Sequence, residues 1–422
     1  MQIDAERRNQ LDWLIQVAYT SWRMFVKNEL PNHAAATAFY FLLSTAPLVL
    51  LVTYAAQALS RLAETSNLAA MLLAAFYSQF HLDELMTMGF IPSGAGAAVG
   101  GASLVTLVLS SRGMVNAVQS AFRVIFPDDS KRKMIVSWSL PLIIIPAVFL
   151  LVILAVLAQG ALSFLAAGDL LGAGSARFLQ ITNTLLVVAA VWGLIFTTYW
   201  RLPMQHPRAR LAMAFALFSV ISLAIFSYGF SLFFSIEKYR AVYGALGGVV
   251  FILIGAYFAC LTFYFWAQCL YAMTKVDVAA LERLFLGGAD PAGGNRLEGW
   301  VFGRASRLLD SYGQTFEPGA HLIEEGDASD CAYYLYSGRV GLYKRINDEE
   351  RKLTSLDAGE LFGEMAYLLK EKRTATVLAE TEVVALVLPP AMLEELMRYS
   401  APLSRRVIGV LCQRLQRMNQ QT

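Results

Sequence analysis

Residues 360–379 of this 422-residue chain read ELFGEMAYLLKEKRTATVLA. In this stretch a glycine, Gly363, stands before an acid, Glu364, and Arg373 follows nine positions after the acid, with small residues behind it. Glycine lets the backbone turn tightly and approach a bound group. An arginine fork binds phosphate oxygens, and a carboxylate accepts hydrogen bonds from hydroxyl groups. The spacing therefore indicates a site for a cyclic phosphate and its ribose.

The residues around this stretch predict an all-β domain. Between Thr315 and Val387, apolar-alternating runs such as CAYYLYSG and RVGLYKRI are separated by glycines at Gly319, Gly326, Gly338 and Gly359. Evenly spaced short strands with turn signals favour a barrel or roll. We expect one helix before the strands, at Trp300–Tyr312, and two after them, at Pro390–Tyr399 and Pro402–Met418.

Four motifs of this region follow one another in the order and spacing of a known domain. They are FEPGAHLIEEGD, YYLYSGRVGLY, LDAGELFGEMAYL and KRTATVLAETE. Residues 300–422 resemble the cyclic-nucleotide-binding domain of catabolite activator proteins, cyclic-nucleotide-dependent kinases and gated channels. The resemblance implies a β-roll with helices that takes cyclic AMP or cyclic GMP as a regulatory ligand and holds no metal. Lys372 departs from the pattern, since the family usually has proline there.

The resemblance implies separate roles for the residues of the opening stretch. A short helix that begins near Glu364 would direct amides at the phosphate, and the Glu364 carboxylate would accept from the ribose 2′-hydroxyl. Arg373 would supply a fixed charge to the phosphate, with further donors on Thr374 and the Ala375 amide. The expected ligand-binding set is Phe362, Gly363, Glu364, Met365, Ala366, Arg373, Thr374 and Ala375. The alternative is a roll retained for docking that binds no ligand.

The rest of the chain has the composition of a membrane protein. It is 57% hydrophobic and only 16% charged overall, against about 25% charged in soluble domains. A spanning helix needs about 20 apolar residues. Six segments qualify: Ala34–Ala58, Ala95–Phe122, Ile135–Ala166, Ala176–Trp200, Leu211–Ile236 and Ala241–Met273. We expect a polytopic α-helical membrane protein with six transmembrane helices and a C-terminal cytoplasmic domain made of a β-roll plus helices.

The segment before the first span predicts an amphipathic helix at Ala5–Leu30 that lies on the membrane surface. Its apolar residues recur at three- and four-residue steps: Leu11, Leu14, Ile15, Ala18, Trp22 and Phe25. The expected domains are therefore the amphipathic helix at 1–32, the membrane domain at 33–275, a linker at 276–299 and the nucleotide-binding domain at 300–422.

Basic residues near the span ends predict the orientation, because Lys and Arg accumulate on the cytoplasmic side. One set of loops holds Arg7, Arg8, Arg23 and Lys27, then Arg123, Lys131, Arg132 and Lys133, then Arg201, Arg208 and Arg210. The opposite loops hold only Arg61, Arg177, Lys238 and Arg240. Both termini are therefore expected in the cytoplasm, where nucleotide signals are made.

Polar and small residues inside the predicted spans suggest further sites. Arg112, near Asn116, is the one charge well inside a span, and an intramembrane charge is a functional hypothesis; an arginine that snorkels to lipid headgroups is the alternative. Glycine pairs at four-residue spacing, such as Gly96 with Gly100, permit close helix contacts. We prefer contacts within one chain, with a homo-oligomer seam as the alternative.

Two apolar stretches resemble the YihY/BrkB family of bacterial inner-membrane proteins. They read NHAAATAFYFLLSTAPLVLL and YGALGGVVFILIGAYFACLTFYFWAQ, and the resemblance extends over residues 15–275. It implies a multi-pass protein of the inner membrane, associated with envelope integrity and with transport of lipid or solute. The chain departs from the family at Trp266, Ala267 and Gln268, where a Gly-Ala-Glu-like triplet is expected.

Together these features predict a cyclic-nucleotide-regulated transporter, flippase or channel of the envelope. The alternative is a non-transporting envelope scaffold whose roll docks partners without nucleotide. No enzyme is expected, because the spans show no carboxylate pair, His/Cys cluster or nucleophile–base pair. The expected partners are the lipid bilayer and a cyclic nucleotide. No nucleic acid is expected, since the chain lacks a basic surface interleaved with aromatic residues.

Overall fold

The computed structural model describes residues 2–44, 97–127, 175–203, 206–233, 246–287, 301, 306–328, 331–346, 349–369, 371–400, 403–405, 407–409 and 412. The chain divides into two compact units. One is Arg23–Tyr271, and the other joins Met1–Trp22 to Ala272–Thr422. The division places the N-terminal helix mostly with the C-terminal domain, which the sequence does not suggest.

Most of the described residues before 288 are helical. Helix α1 covers Gln2–Lys27, and α2 covers residues 30–44 after a break at Asn28 and Glu29. Glu29 has a positive φ of 49°, a conformation that interrupts the helix. The others are α3 at Ala97–Ile125, α4 at Ser175–Arg201, α5 at Ala209–Phe233 and α6 at Leu246–Gly287.

Three of these helices are long and apolar enough to cross a membrane. Within the described residues the candidate spans are Thr184–Arg201, Ala209–Leu232 and Leu246–Phe285. They correspond to the last three spans predicted from the sequence. Large apolar side chains cover their surfaces, with Leu185 63% exposed and Ile225 68% exposed, as expected of helices that face lipid.

The other three predicted spans are described only in part. The second corresponds to α3, while the first begins in α2 and continues beyond the described residues. The third, at Ile135–Ala166, lies outside them altogether. The count of six spans and the orientation of the termini therefore stay predictions.

Hydrogen bonds and aromatic contacts join the helices of the unit Arg23–Tyr271. The Thr37 and Tyr264 hydroxyls lie 2.7 Å apart, and Asn28 donates to the Gln268 side chain at 3.0 Å. Gln268 is fully buried. In apolar surroundings a buried amide needs a partner, so this bond explains how a polar side chain is tolerated in α6.

The C-terminal unit contains a β-roll of two four-stranded sheets. The strands are β1 at Gly313–Phe316, β2 at His321–Ile323, β3 at Ala332–Ser337, β4 at Arg339–Ile346, β5 at Glu349–Asp357, β6 at Leu361–Phe362, β7 at Thr376–Ala379 and β8 at Val383–Leu388. The strand orders are β1-β8-β3-β6 and β2-β7-β4-β5, and all described strand pairs are antiparallel. This confirms the all-β prediction.

The roll closes around an apolar core with glycines at its turns. Leu335, Val340, Val383 and Ala385 are completely buried between the sheets. Positive φ angles occur at all four of the glycines that the sequence assigns to turns: Gly319, Gly326, Gly338 and Gly359. Their turn positions are therefore confirmed, because side chains larger than glycine rarely adopt this conformation.

Three short helices accompany the roll: α7 at Ser306–Tyr312, α8 at Glu364–Leu369 and α9 at Pro390–Tyr399. The bounds of α9 are those predicted, with a proline in its first turn as helix starts favour. Of the last predicted helix, residues 403–405, 407–409 and 412 are described, and all are helical.

The end of α6 belongs to the core of this second unit. Residues 276–287, expected in a linker, are instead the last turns of a 42-residue helix. Val278, Leu281 and Phe285 are buried in one apolar cluster with residues of β8 and α9. Burial of these side chains is the physical reason that the helix continues past the predicted span.

Candidate functional site

The candidate site centres on Gly363, which joins β6 to α8. Gly363 has a φ of 76°, and a Cβ atom there would lie 2.7 Å from Nη1 of Arg373 and 3.0 Å from Cδ1 of Ile323. Both the conformation and the close approach therefore require glycine. Gly359 also has a positive φ, of 97°, but a Cβ there would meet nothing within 4 Å. Its role is confined to the turn.

Arg373 is held inside the roll by its backbone and its side chain. Only 4% of the residue is exposed. Nη1 donates to the Gly363 carbonyl and Nη2 to the Cys331 carbonyl, each at 2.6 Å. The Arg373 amide donates to the Asp327 carbonyl at 3.0 Å, and its own carbonyl accepts from the Gly326 amide at 2.9 Å. These bonds fix the guanidinium against Gly363.

Glu364 is the first residue of α8 and is only 1% exposed. An acid and a base are thus both buried within ten positions of the chain: the acid begins a six-residue helix and the base follows its end. Removing ionised side chains from water costs several kcal/mol each, roughly, unless the surroundings compensate. A buried pair of opposite charges in a roll is therefore typical of a site built for a polar, charged ligand.

The other expected ligand-binding residues divide into buried and accessible positions. Phe362 and Ala366 are buried, Met365 and Ala375 are half-buried, and Thr374 is exposed. The buried members support the site from inside the roll, while Thr374 lies where a ligand can reach it. Lys372 is also exposed, so its charge lies at the surface of the segment that precedes Arg373.

Two residues outside the stretch 360–379 also contribute to the site, and the sequence alone does not assign them to it. Tyr333 on β3 stacks on Phe362, with ring centroids 5.3 Å apart and planes at 11°. Burial raises the pKa of the Tyr333 phenol, and the nearby Arg373 charge opposes that shift. The Cys331 carbonyl orients Arg373. Both follow from the pairing of β3 with β6, which brings together residues that lie far apart in the chain.

A connected set of contacts leads from α8 to the end of α6. The Tyr367 hydroxyl on α8 donates to Glu394 of α9 at 2.5 Å. The next residue, Glu395, forms an ion pair with Lys275 of α6. The roll also contacts α6 directly, because the Tyr334 hydroxyl donates to the Leu284 carbonyl at 3.1 Å.

Arg112 and Asn116 lie four residues apart on α3, and both are exposed. They therefore share one face of the helix. Gly113 lies on the side that meets α2, since a Cβ there would be 2.4 Å from the ring of Tyr40. The expected role of Arg112 and Asn116 inside the membrane stays a prediction. The four cysteines are free thiols: Cys269 is buried, Cys260 and Cys331 are half-buried and Cys412 is exposed.

Comparison with protein-family models gives two matches. Residues 21–283, more than half of the chain, match the model described as Virulence factor BrkB. Residues 313–400 match the model of the cyclic nucleotide-binding domain. The second match contains every residue of the candidate site.

Similar proteins include a cGMP-dependent protein kinase of Toxoplasma gondii, 34% identical over 20% of this chain and 8% of the kinase. A cAMP-dependent protein kinase type II regulatory subunit of Drosophila melanogaster is 33% identical over 17% of this chain and 19% of the subunit. The chain thus spans a small part of these relatives.

Two solved structures are also similar to this chain. The cAMP-bound form of the EAL enzyme Bd1971 is 34% identical over 25% of this chain and 29% of that chain, with a TM-score of 0.22. The Thermus thermophilus catabolite activator protein is 24% identical over 33% of this chain and 61% of that chain, with a TM-score of 0.27.

Proposed function

Because this chain belongs to the BrkB family of membrane proteins and carries a cyclic nucleotide-binding domain, we propose that it is a cyclic-nucleotide-regulated transporter, flippase or channel of the bacterial inner membrane. The observation that carries the regulatory part is the burial of both Glu364, which begins α8, and Arg373, which follows it. Both termini lie in the cytoplasm in this proposal, so the roll faces the compartment in which cyclic nucleotides are made.

The ligand is cyclic AMP or cyclic GMP. Arg373 binds the cyclic phosphate, because its guanidinium is fixed beside Gly363, where the backbone leaves room for no side chain. Glu364 accepts a hydrogen bond from the ribose 2′-hydroxyl, and Thr374 with the Ala375 amide adds donors to the phosphate. Relatives named for each of the two nucleotides support a site of this class.

Regulation reaches the membrane domain through α6. This helix is a candidate span over Leu246–Phe285, and its residues 272–287 belong to the unit that contains the roll. A ligand that favours one position of α8 shifts α9 through the Tyr367–Glu394 hydrogen bond. The ion pair of Glu395 with Lys275 then passes the shift to α6. Such a shift requires different ligand affinities for two states of the roll.

Titration calorimetry of the purified chain with cyclic AMP and cyclic GMP tests the binding step. We expect saturable binding to the wild-type chain and a large loss of affinity in Arg373→Ala. Arg373→Lys is the matched control, because it keeps the charge and removes the fork of donors. Absence of binding by either nucleotide would overturn the regulatory proposal.

A reconstituted flux or lipid-transfer assay, run with and without cyclic nucleotide, tests the transport step. The proposal assigns no catalytic step to the chain, so activity is expected as movement of lipid or solute that the nucleotide raises or lowers. A scaffold that only docks partners gives no flux and no response to nucleotide. The two assays separate a failure of transport from a failure of regulation.

A further inference from the structure

Helix α1 presents its apolar side chains outward. Leu11 is 60% exposed, Leu14 is 55% exposed and Trp22 is 61% exposed. With Ile15, Ala18 and Val26, which are also exposed, these residues follow three- and four-residue steps and so form one stripe along the helix. We call this set the α1 stripe.

The opposite face of α1 carries polar side chains that point into the protein. Gln16, Thr20 and Ser21 are at most 3% exposed. Gln16 donates to the Val301 carbonyl at 3.2 Å and accepts from Arg307 at 3.5 Å. An amphipathic helix on a water-soluble domain buries its apolar face and exposes its polar face. Helix α1 buries Val17, Met24 and Phe25 together with these polar residues, yet it leaves the large apolar side chains of the α1 stripe exposed. Its outer face is therefore suited to an apolar environment.

We propose that the α1 stripe binds the lipid surface and thereby holds the nucleotide-binding unit against the membrane. Residues up to Trp22 belong to that unit, so the stripe anchors the unit itself. This inference does not depend on whether the roll binds nucleotide or whether the chain transports anything.

Two further observations favour lipid over a protein partner. Arg23 and Lys27 are exposed at the end of α1, where basic side chains complement anionic headgroups. After the break at residues 28–29 the chain continues into α2, whose Phe39 and Leu43 are 56% and 48% exposed. Since α2 leads into the first predicted span, the apolar surface of α1 continues along the chain into residues expected to contact lipid.

Arg307 connects the buried face of α1, opposite the α1 stripe, to α6. Besides Gln16, it contacts Asp277 of α6 in an ion pair of 2.5 Å. The polar face of α1 is therefore joined to the same end of α6 that receives the contacts from α9. In the proposal, lipid contact of α1 therefore also restrains that end of α6.

Nitroxide accessibility in the full chain tests the proposal. Labels are placed by Leu14→Cys and Trp22→Cys in a background in which the four native cysteines are serines, and the protein is reconstituted in vesicles of phosphatidylethanolamine and phosphatidylglycerol. Leu185→Cys on a candidate span and Glu350→Cys on the exposed strand β5 are the lipid and water controls. All labelled sites are exposed, so the labels disturb little packing, and thermal unfolding in detergent verifies each variant.

We expect oxygen collisions to dominate over collisions with a water-soluble nickel complex at positions 14 and 22, as at position 185, and the reverse at position 350. Collision behaviour like that of position 350 would overturn the proposal. So would strong spin–spin broadening, which indicates a second copy of the chain, or low collision rates with both relaxants, which indicate burial against protein.

Discussion

A pair of glycine substitutions tests how the roll forms its ligand site. Gly363→Ala and Gly359→Ala each place a Cβ on a residue of positive φ, 76° and 97° respectively. That conformation is roughly 1–2 kcal/mol less favourable for an L-residue. We therefore expect both variants to lose a similar, modest amount of folding free energy. They differ in what the new methyl group meets.

At position 363 the methyl group would lie 2.7 Å from Nη1 of Arg373, whereas at position 359 it meets nothing within 4 Å. The guanidinium must move in the first variant and stays in place in the second. Hydrogen bonds to charged groups contribute about 1.5–3 kcal/mol each, so loss of one phosphate contact lowers affinity roughly 10- to 150-fold. Gly359→Ala should bind as the wild type does.

The assay combines thermal unfolding, which reports stability, with titration calorimetry against cyclic AMP and cyclic GMP. The reasoning is refuted if Gly363→Ala binds nucleotide with wild-type affinity. It is also refuted if both variants lose affinity equally, because the loss would then follow from stability and not from the position of Arg373.

Three further predictions concern the ligand, the route to α6 and pH. Glu364→Gln should reduce the preference for cyclic AMP over its 2′-deoxy analogue, measured by calorimetry, because the carboxylate accepts from the 2′-hydroxyl; an unchanged preference contradicts that role. Tyr367→Phe and Lys275→Ala should leave nucleotide affinity within a few-fold of the wild type yet weaken the nucleotide-dependent change in flux. The first removes the contact of α8 with α9 and the second removes the contact of α9 with α6; a full response in both variants excludes this route. The hydrogen bond from Lys352 lowers the pKa of the Glu380 carboxyl. The stability that this ion pair contributes is therefore present above the ordinary carboxyl pKa and is lost as pH falls through the lowered pKa. Glu380→Gln should make the free energy of unfolding fall slightly less as pH is lowered below about 5. An unaltered dependence of the unfolding free energy on pH would count against the ion pair.

The sequence predicts those parts of the roll that depend on local signals. Gly319, Gly326 and Gly338 are recognisable as turns because positive φ favours glycine at each. Helix α9 has the predicted bounds because a proline begins it and its apolar residues recur with helical spacing. Glu364 and Arg373 stand out because their spacing fits the phosphate-binding segment of the family that residues 300–422 resemble.

The parts that the sequence did not predict depend on contacts between distant residues. The continuation of α6 to Gly287 results from burial of Val278, Leu281 and Phe285 against the roll. The linker is expected from the Gly/Pro-rich residues 287–295, which indicate where a helix ends but not which residues before them are buried. Likewise Tyr333 joins the site only through the pairing of β3 with β6. The Cys331 carbonyl cannot be recognised from the sequence, because every residue type has a backbone carbonyl.

The central claim is that nucleotide bound between Glu364 and Arg373 alters α6. Hydrogen–deuterium exchange of residues 272–287 in the reconstituted chain, with and without saturating cyclic AMP or cyclic GMP, tests it most directly. We predict that nucleotide changes the exchange of these residues in the wild type and leaves it unchanged in Arg373→Ala. Nucleotide binding with identical exchange at residues 272–287 in both states would contradict the claim.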